Sequence, residues 1–156
     1  MSNSDHPKIA FAYPTFIRPG MIASGPFIPD IGWKMNDFPG KLSFYVSAGL
    51  ILNNNRPYSF DVDVLHEGNS LIPEKAPAVD SKLLGTTVSD RDDFIALSTT
   101  FLSNINIPSE GLYTVRVLLH TGHVEAKERL LIDSHDCHFV IAKNWLTNEM
   151  KKMEQS

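Results

Sequence analysis

IPSEGLYTVRVLLHTGHVEAKERLLI, residues 107–132, is the stretch on which the reading of the fold turns. Tyr113, Val115, Val117 and Leu119 alternate with Thr114, Arg116, Leu118 and His120, which is the period of a strand with one buried face. Thr121-Gly122 then reads as a two-residue reversal. That turn sets His120 opposite His123, and it pairs Leu119 with Val124, Val117 with Ala126, Val115 with Glu128 and Tyr113 with Leu130. One side of the expected hairpin is apolar except for Glu128. The other side collects Thr114, Arg116, Leu118 and His120 against Arg129, Lys127, Glu125 and His123. A one-residue slip mixes apolar with charged side chains on the buried face, so pattern and turn support the same register.

The approach to this stretch carries a second signal. Pro108-Ser109-Glu110-Gly111 is turn chemistry, and Leu-Tyr-Thr-Val follows at once. The order is similar to the tyrosine-corner pattern of immunoglobulin-like sandwiches, with Tyr113 as the corner residue. Val115 stands where antibody domains carry cysteine, so no inter-sheet disulfide forms. The plainer alternative is that Tyr113 simply opens a strand.

Working outward, Lys8–Tyr13 reads as a first strand that meets an edge or bend at Pro14. Residues 20–40 hold Gly20, Gly25, Pro26, Pro29, Gly32, Pro39 and Gly40, too much punctuation for a helix, with at most one short strand. Phe27, Ile28, Ile31, Trp33 and Phe38 in this segment either cap an open end of the domain or form a ligand or partner surface. Leu42–Leu52 alternates as a long half-buried strand, with Ser43, Tyr45, Ser47 and Gly49 on its other side. Asn53–Pro57 turns the chain. Tyr58–Leu65 returns with Tyr58, Phe60, Val62 and Val64 inward and Asp61 and Asp63 outward. Residues 68–93 show no clear period and read as a long loop, a first place to look for binding, with a short strand near Leu83–Val88. Phe94–Ile107 is extended, with a bulge expected near Thr99-Thr100. After the hairpin come a polar connector, Asp133–His138, and a short strand, Phe139–Ala142.

Residues 144–154 have helical spacing, with Trp145, Leu146, Met150 and Met153 on one side. A helix this short needs a surface to pack on. That surface is either the domain itself or another chain, for which Trp145, Met150 and Met153 are the candidate partner-binding residues. The organisation expected is one domain over 8–143 with a helical tail over 144–156. Strand after strand without alternating helices means an all-β, antiparallel, sandwich-like fold.

The chain has 156 residues, 42% hydrophobic and 21% charged, which suits one globular domain with a real core. Its net charge of −4 argues against nucleic acid as a partner, because phosphate binding needs a concentrated basic surface. One cysteine, Cys137, allows no internal disulfide and suits a reducing compartment. The start carries no basic segment followed by an apolar run, and no apolar stretch reaches membrane-spanning length, so a cytoplasmic location without membrane partners is expected.

Two His-x-x-His pairs are the candidates for chemistry. His135 and His138, with Asp133 and Cys137, offer the nitrogen, oxygen and sulfur donors of a zinc site; the competing account is a polar connector with Cys137 turned inward. His120 and His123 lie at the expected hairpin tip, a solvated turn with two ligands at most. The register puts them roughly 30 Å from Asp133, ruling out a joint site. Asp61, Asp63, Asp90, Asp92 and Asp93 could gather as a calcium site, but their spacing fits no calcium loop and solvated acidic loops account for them. There is no Gly-x-Ser-x-Gly, phosphate loop or HExxH.

FPGKLSFYVSAGLIL, YSFDVDVLHEGN and INIPSEGLYTVRVLL together resemble a bacterial β-sandwich family of unknown function over residues 8–132. The resemblance implies an immunoglobulin-like or C2-like sandwich and supplies no catalytic residues. The function expected is a non-catalytic binding or assembly module, bacterial or phage-borne, partnered by another protein or by itself and needing no cofactor. The alternative is a metal-binding protein or metal-dependent enzyme, with zinc, centred on Asp133–His138.

Overall fold

The computed structural model describes residues 7–21, 25–53, 58–72, 81–87, 93–122 and 129–143. Its strands are β1 (Lys8–Phe16), β2 (Gly32–Lys34), β3 (Gly40–Asn53), β4 (Tyr58–His66), β5 (Asn69–Ser70), β6 (Ser81–Thr87), β7 (Asp93–Ile107), β8 (Gly111–Thr121) and β9 (Leu130–Ala142). They form a four-stranded sheet, β1-β3-β7-β6, and a five-stranded sheet, β2-β9-β8-β4-β5. Pairing is antiparallel except between β2 and β9. The fold is therefore all-β, compatible with a sandwich. The expected helix over 144–156, with Trp145, Met150 and Met153, lies outside the described residues. Among the described residues no helix is long and apolar enough to cross a membrane.

Alternation builds the core from both sheets. Leu42, Phe44, Val46, Ala48, Leu50 and Leu52 of β3 are buried, and Tyr113, Val115, Val117 and Leu119 of β8 are each 0% exposed. Aromatic rings join the sheets. Phe139 of β9 lies 5.6 Å from Phe44 and 5.1 Å from Phe16 in the opposite sheet, and 5.4 Å from Tyr113 in its own. Both sheets thus share one interior.

The segment following β1 closes one side. Asp30 accepts from the Phe16 amide at 2.8 Å and also holds Arg18, whose guanidinium lies over Trp33. The Asp30 amide donates to Pro14 in β1, while the Ile31 carbonyl accepts from Val140 in β9. The backbone of residues 30–31 therefore bridges the edge of one sheet to the other. Trp33 and Phe38 pack against the core as the capping account expects, whereas Ile28 and Ile31 are 64% and 83% exposed.

The tyrosine-corner geometry is present. The Tyr113 hydroxyl donates to the Ser109 carbonyl at 2.5 Å, and burial pushes its pKa up, which keeps it a donor. His66 stacks on the Tyr113 ring at 4.1 Å. Its Nδ1 lies 3.1 Å from the Leu112 carbonyl, an acceptor only, so Nδ1 carries the proton. Nε2, at 3.1 Å, then accepts from the Ser109 hydroxyl. Gly111 has φ of 134°, and a Cβ there would come within 3.3 Å of the His66 ring. This turn is locked from three sides.

Two expectations about registers are corrected. The reversal after β8 is not a two-residue turn at Thr121-Gly122. Thr121 pairs with Leu130, Leu119 with Asp133, Val117 with His135, Val115 with Cys137 and Tyr113 with Phe139. The partner opposite Leu119 has moved nine residues, from Val124 to Asp133, and an odd slip exchanges the faces. Leu130, expected inward, is 69% exposed, while Phe139 and Ile141 are 1% exposed. Burial decides it: the observed register brings Phe139 and Ile141 into the core, where the shorter loop places Glu128 opposite Val115. The bulge in β7 falls at Ser103-Asn104, not Thr99-Thr100. Asn104, with φ of 55°, is a residue type that tolerates that region, and its amide is capped by the Ser43 hydroxyl at 2.9 Å.

Candidate functional site

The zinc candidates all lie on β9, which is one continuous strand and not a connector. Strand alternation parts them: Asp133, His135 and Cys137 share the parity of buried Phe139 and Ile141, and His138 takes the opposite face. His138 Nδ1 is 3.1 Å from the Thr114 hydroxyl. Asp133 crosses between the sheets to accept from the Ile9 amide at 2.7 Å, which satisfies an edge donor of β1. Asp136 accepts two bonds from Arg116, at 2.8 and 3.0 Å, and that guanidinium holds its carboxyl below the usual range. Among the described residues no group of three or more His, Cys, Asp and Glu side chains is placed to hold a metal.

The expected 30 Å between the histidine tip and Asp133 is also corrected. Asp133 pairs with Leu119, so it sits beside the row of His120. Arg129 donates to His120 Nδ1 at 3.2 Å and to Asp61 at 2.9 Å. A guanidinium only donates, so the imidazole nitrogen is the acceptor in that contact. Asp63 accepts from the Ser70 hydroxyl at 2.6 Å. His123, Asp90 and Asp92 lie outside the described residues. The outer face of the five-stranded sheet thus carries the Arg116–Asp136 and Arg129–Asp61 pairs at its middle rows, with Leu112 and Val140, 59% and 41% exposed and opposite each other, at one end.

Cys137 is turned inward, and burial pushes its thiol up to about 11. With the ordinary value at 9.0, the folded protein holds about a hundredfold less thiolate at pH 8 than the unfolded chain. Alkylation by iodoacetamide at that pH is expected to slow by about that factor in the native state. Equal native and denatured rates would contradict the buried placement. The linkage sign follows from the raised value: this stabilising contribution is whole below pH 9 and is lost as pH rises through about 11. Cys137→Ala is expected to flatten that alkaline loss in urea titrations.

The outer face of the four-stranded sheet is different. Here the outward positions pair as Tyr13–Ser47–Thr99, Phe11–Gly49–Leu97 and Ile51–Ile95 across β1, β3 and β7. Phe11, Ile51, Ile95 and Leu97 are 45%, 36%, 42% and 40% exposed. Gly49 lets the Phe11 ring lie across the strand, where a Cβ would come within 2.3 Å of it. Towards the other end Phe27 packs on Tyr45 at 4.7 Å, and Tyr45 on Phe101 at 5.1 Å. The Tyr13 and Thr15 hydroxyls bind the Phe27 and Ile28 carbonyls and hold this cover down. Among the described residues this segment covers the Tyr45 end and not the Gly49–Ile51 end.

From Phe11 to Thr15, Tyr45 to Ile51 and Ile95 to Phe101, no outward residue is charged; Lys8, paired with Ile51, Asp93, paired with Asn53, and Lys82 of β6, paired with Thr99, stand at the margins. Sequence reasoning passed over these positions by treating β3 as half-buried. The signal was present in LILN and FIAL, where Ile51, Ile95 and Leu97 interrupt the alternation. Near-continuous apolar runs are the mark of strands covered on both faces. No family model matches the sequence, and no curated protein matches it either.

Proposed function

We propose that the protein is a non-catalytic assembly module, an immunoglobulin-like or C2-like sandwich that binds protein through the outer face of its four-stranded sheet. The observation that carries this reading is the bare, uncharged row of Phe11, Ile51, Ile95 and Leu97 on adjacent strands. Contiguous exposed apolar patches mark interaction sites, whereas scattered apolar residues do not. On the opposite outer face the Arg116–Asp136 and Arg129–Asp61 pairs separate the exposed apolar residues, Leu112 and Val140 at one end of β8–β9 and Leu130 and Leu131 at the other. The Tyr113–Ser109 bond supports the sandwich type, and cytoplasmic residence fits a lone, inward-facing thiol.

The test is site-specific photocrosslinking in the native cell. A photoreactive phenylalanine analogue at position 97 is expected to give a discrete protein adduct, and the same analogue at position 116 none. Absence of an adduct from 97, or the same adducts from both positions, defeats this reading.

A further inference from the structure

We infer that the occupant of the bare face is a second copy of this chain, so that two four-stranded sheets stack through their Gly49–Ile51 ends. This rests on the assembly reading above and names its partner. Shape is the first reason. Gly49 and Ser47 raise no large side chain, and Phe11 lies flat across Gly49, so the region is planar and not concave. A flat apolar sheet face is complementary to another flat apolar sheet face, packed at about 10 Å. The chain itself supplies one.

Charge is the second reason. Each copy carries a net charge of −4, so random approach of two copies is repulsive. The five-stranded sheet turns the Arg116–Asp136 and Arg129–Asp61 pairs outward together with Asp63, which accepts from Ser70, and burying them against a copy would desolvate those charges. At the four-stranded face two copies meet with no carboxylate at the centre. Lys8, beside Ile51, and Asp93, two residues before Ile95, are the charged positions at the rim of this end, one of each sign in each copy. A two-fold arrangement needs only this one self-complementary patch, the commonest way soluble chains pair.

Size sets the affinity. The bare row offers roughly a few hundred Å² per copy, against about 800 Å² per partner in a standard interface. An interface this small belongs with weak, transient contacts, so the dimer forms only at high protein concentration.

Sedimentation of the purified full chain decides the matter. Weight-average mass is expected to rise towards twice the monomer between about 10 μM and 1 mM. Ile95→Glu/Leu97→Glu is expected to stay monomeric throughout, at least tenfold weaker in association, with an unchanged circular dichroism spectrum. Asp136→Ala, on the other outer face, is expected to associate like wild type. Should the glutamates unfold the protein, Ile95→Thr/Leu97→Thr keeps strand-forming side chains and carries the same readout. A wild type that remains monomeric at about 1 mM, or a dimer that survives the folded variants, overturns the inference. If the wild type is monomeric yet position 97 still crosslinks to a different protein, the second copy is wrong and the assembly reading stands.

Discussion

Replacing Phe139 by alanine is expected to lower the unfolding free energy by about 3–5 kcal/mol, the range for emptying a large aromatic site in a rigid core. Phe139 is 1% exposed, and its ring touches those of Phe16 and Phe44 in one sheet and Tyr113 in the other. These neighbours come from three other strands, β1, β3 and β8, so no single movement refills the void. The effect should be a lower urea midpoint with an unchanged slope, and a melting temperature down by roughly 10 °C or more. Since whole domains are stable by only about 5–15 kcal/mol, this single change consumes much of the margin. Phe139→Leu keeps most of the volume and is expected to lose less than half as much. An Ala variant that melts like wild type would mean that Phe139 is not in the core. The register that puts it opposite Tyr113 would then be wrong as well.

The second large effect belongs to Tyr113. Tyr113→Ala is expected to cost about 3–5 kcal/mol by removing a fully buried ring held between His66 and Phe139. Tyr113→Phe separates packing from anchoring. It keeps the ring and deletes the bond to the Ser109 carbonyl, leaving that acceptor without its donor, at about 1–2 kcal/mol. The Phe variant should also loosen the turn that His66 and Ser109 share, seen as faster amide exchange around residues 109–112. A Phe variant as stable as wild type, with unchanged exchange, would reduce the hydroxyl contact to an ornament of the turn.

Both effects follow from β8, the part of the chain most legible before any coordinates. Tyr113, Val115, Val117 and Leu119 are uniformly apolar while Thr114, Arg116, Leu118 and His120 are mostly polar, and a strand so patterned has one way to face a core. The same logic located β3 and β4 to within two residues; β6 overlaps the short strand expected near Leu83–Val88, in a region with no clear period. Tyr113, with Pro108 and Gly111 before it, also announced its corner, because that geometry is made by residues four apart and needs nothing distant.

What alternation leaves open is the partner. It tells a strand which face is buried, yet says nothing about how long a loop precedes the return. A two-residue reversal after His120 and an eight-residue one after Thr121 each satisfied the local pattern of β8. The choice fell to Phe139 and Ile141, whose burial needs Phe16 and Phe44 from the other sheet, which no window of sequence contains. That slip also rewrote the candidate site, moving Asp133 beside the loop end and turning His138 away from Cys137. The outer face was half legible. The apolar residues Ile51, Ile95 and Leu97 were there to read, but their exposure depends on how far residues 25–30 reach over the sheet. Sequence by itself determined strands, the buried face of β8 and the corner, because these rest on contacts between near neighbours. Tertiary structure alone decided register, the fate of the histidines and the bare face, because each depends on side chains brought together from distant strands.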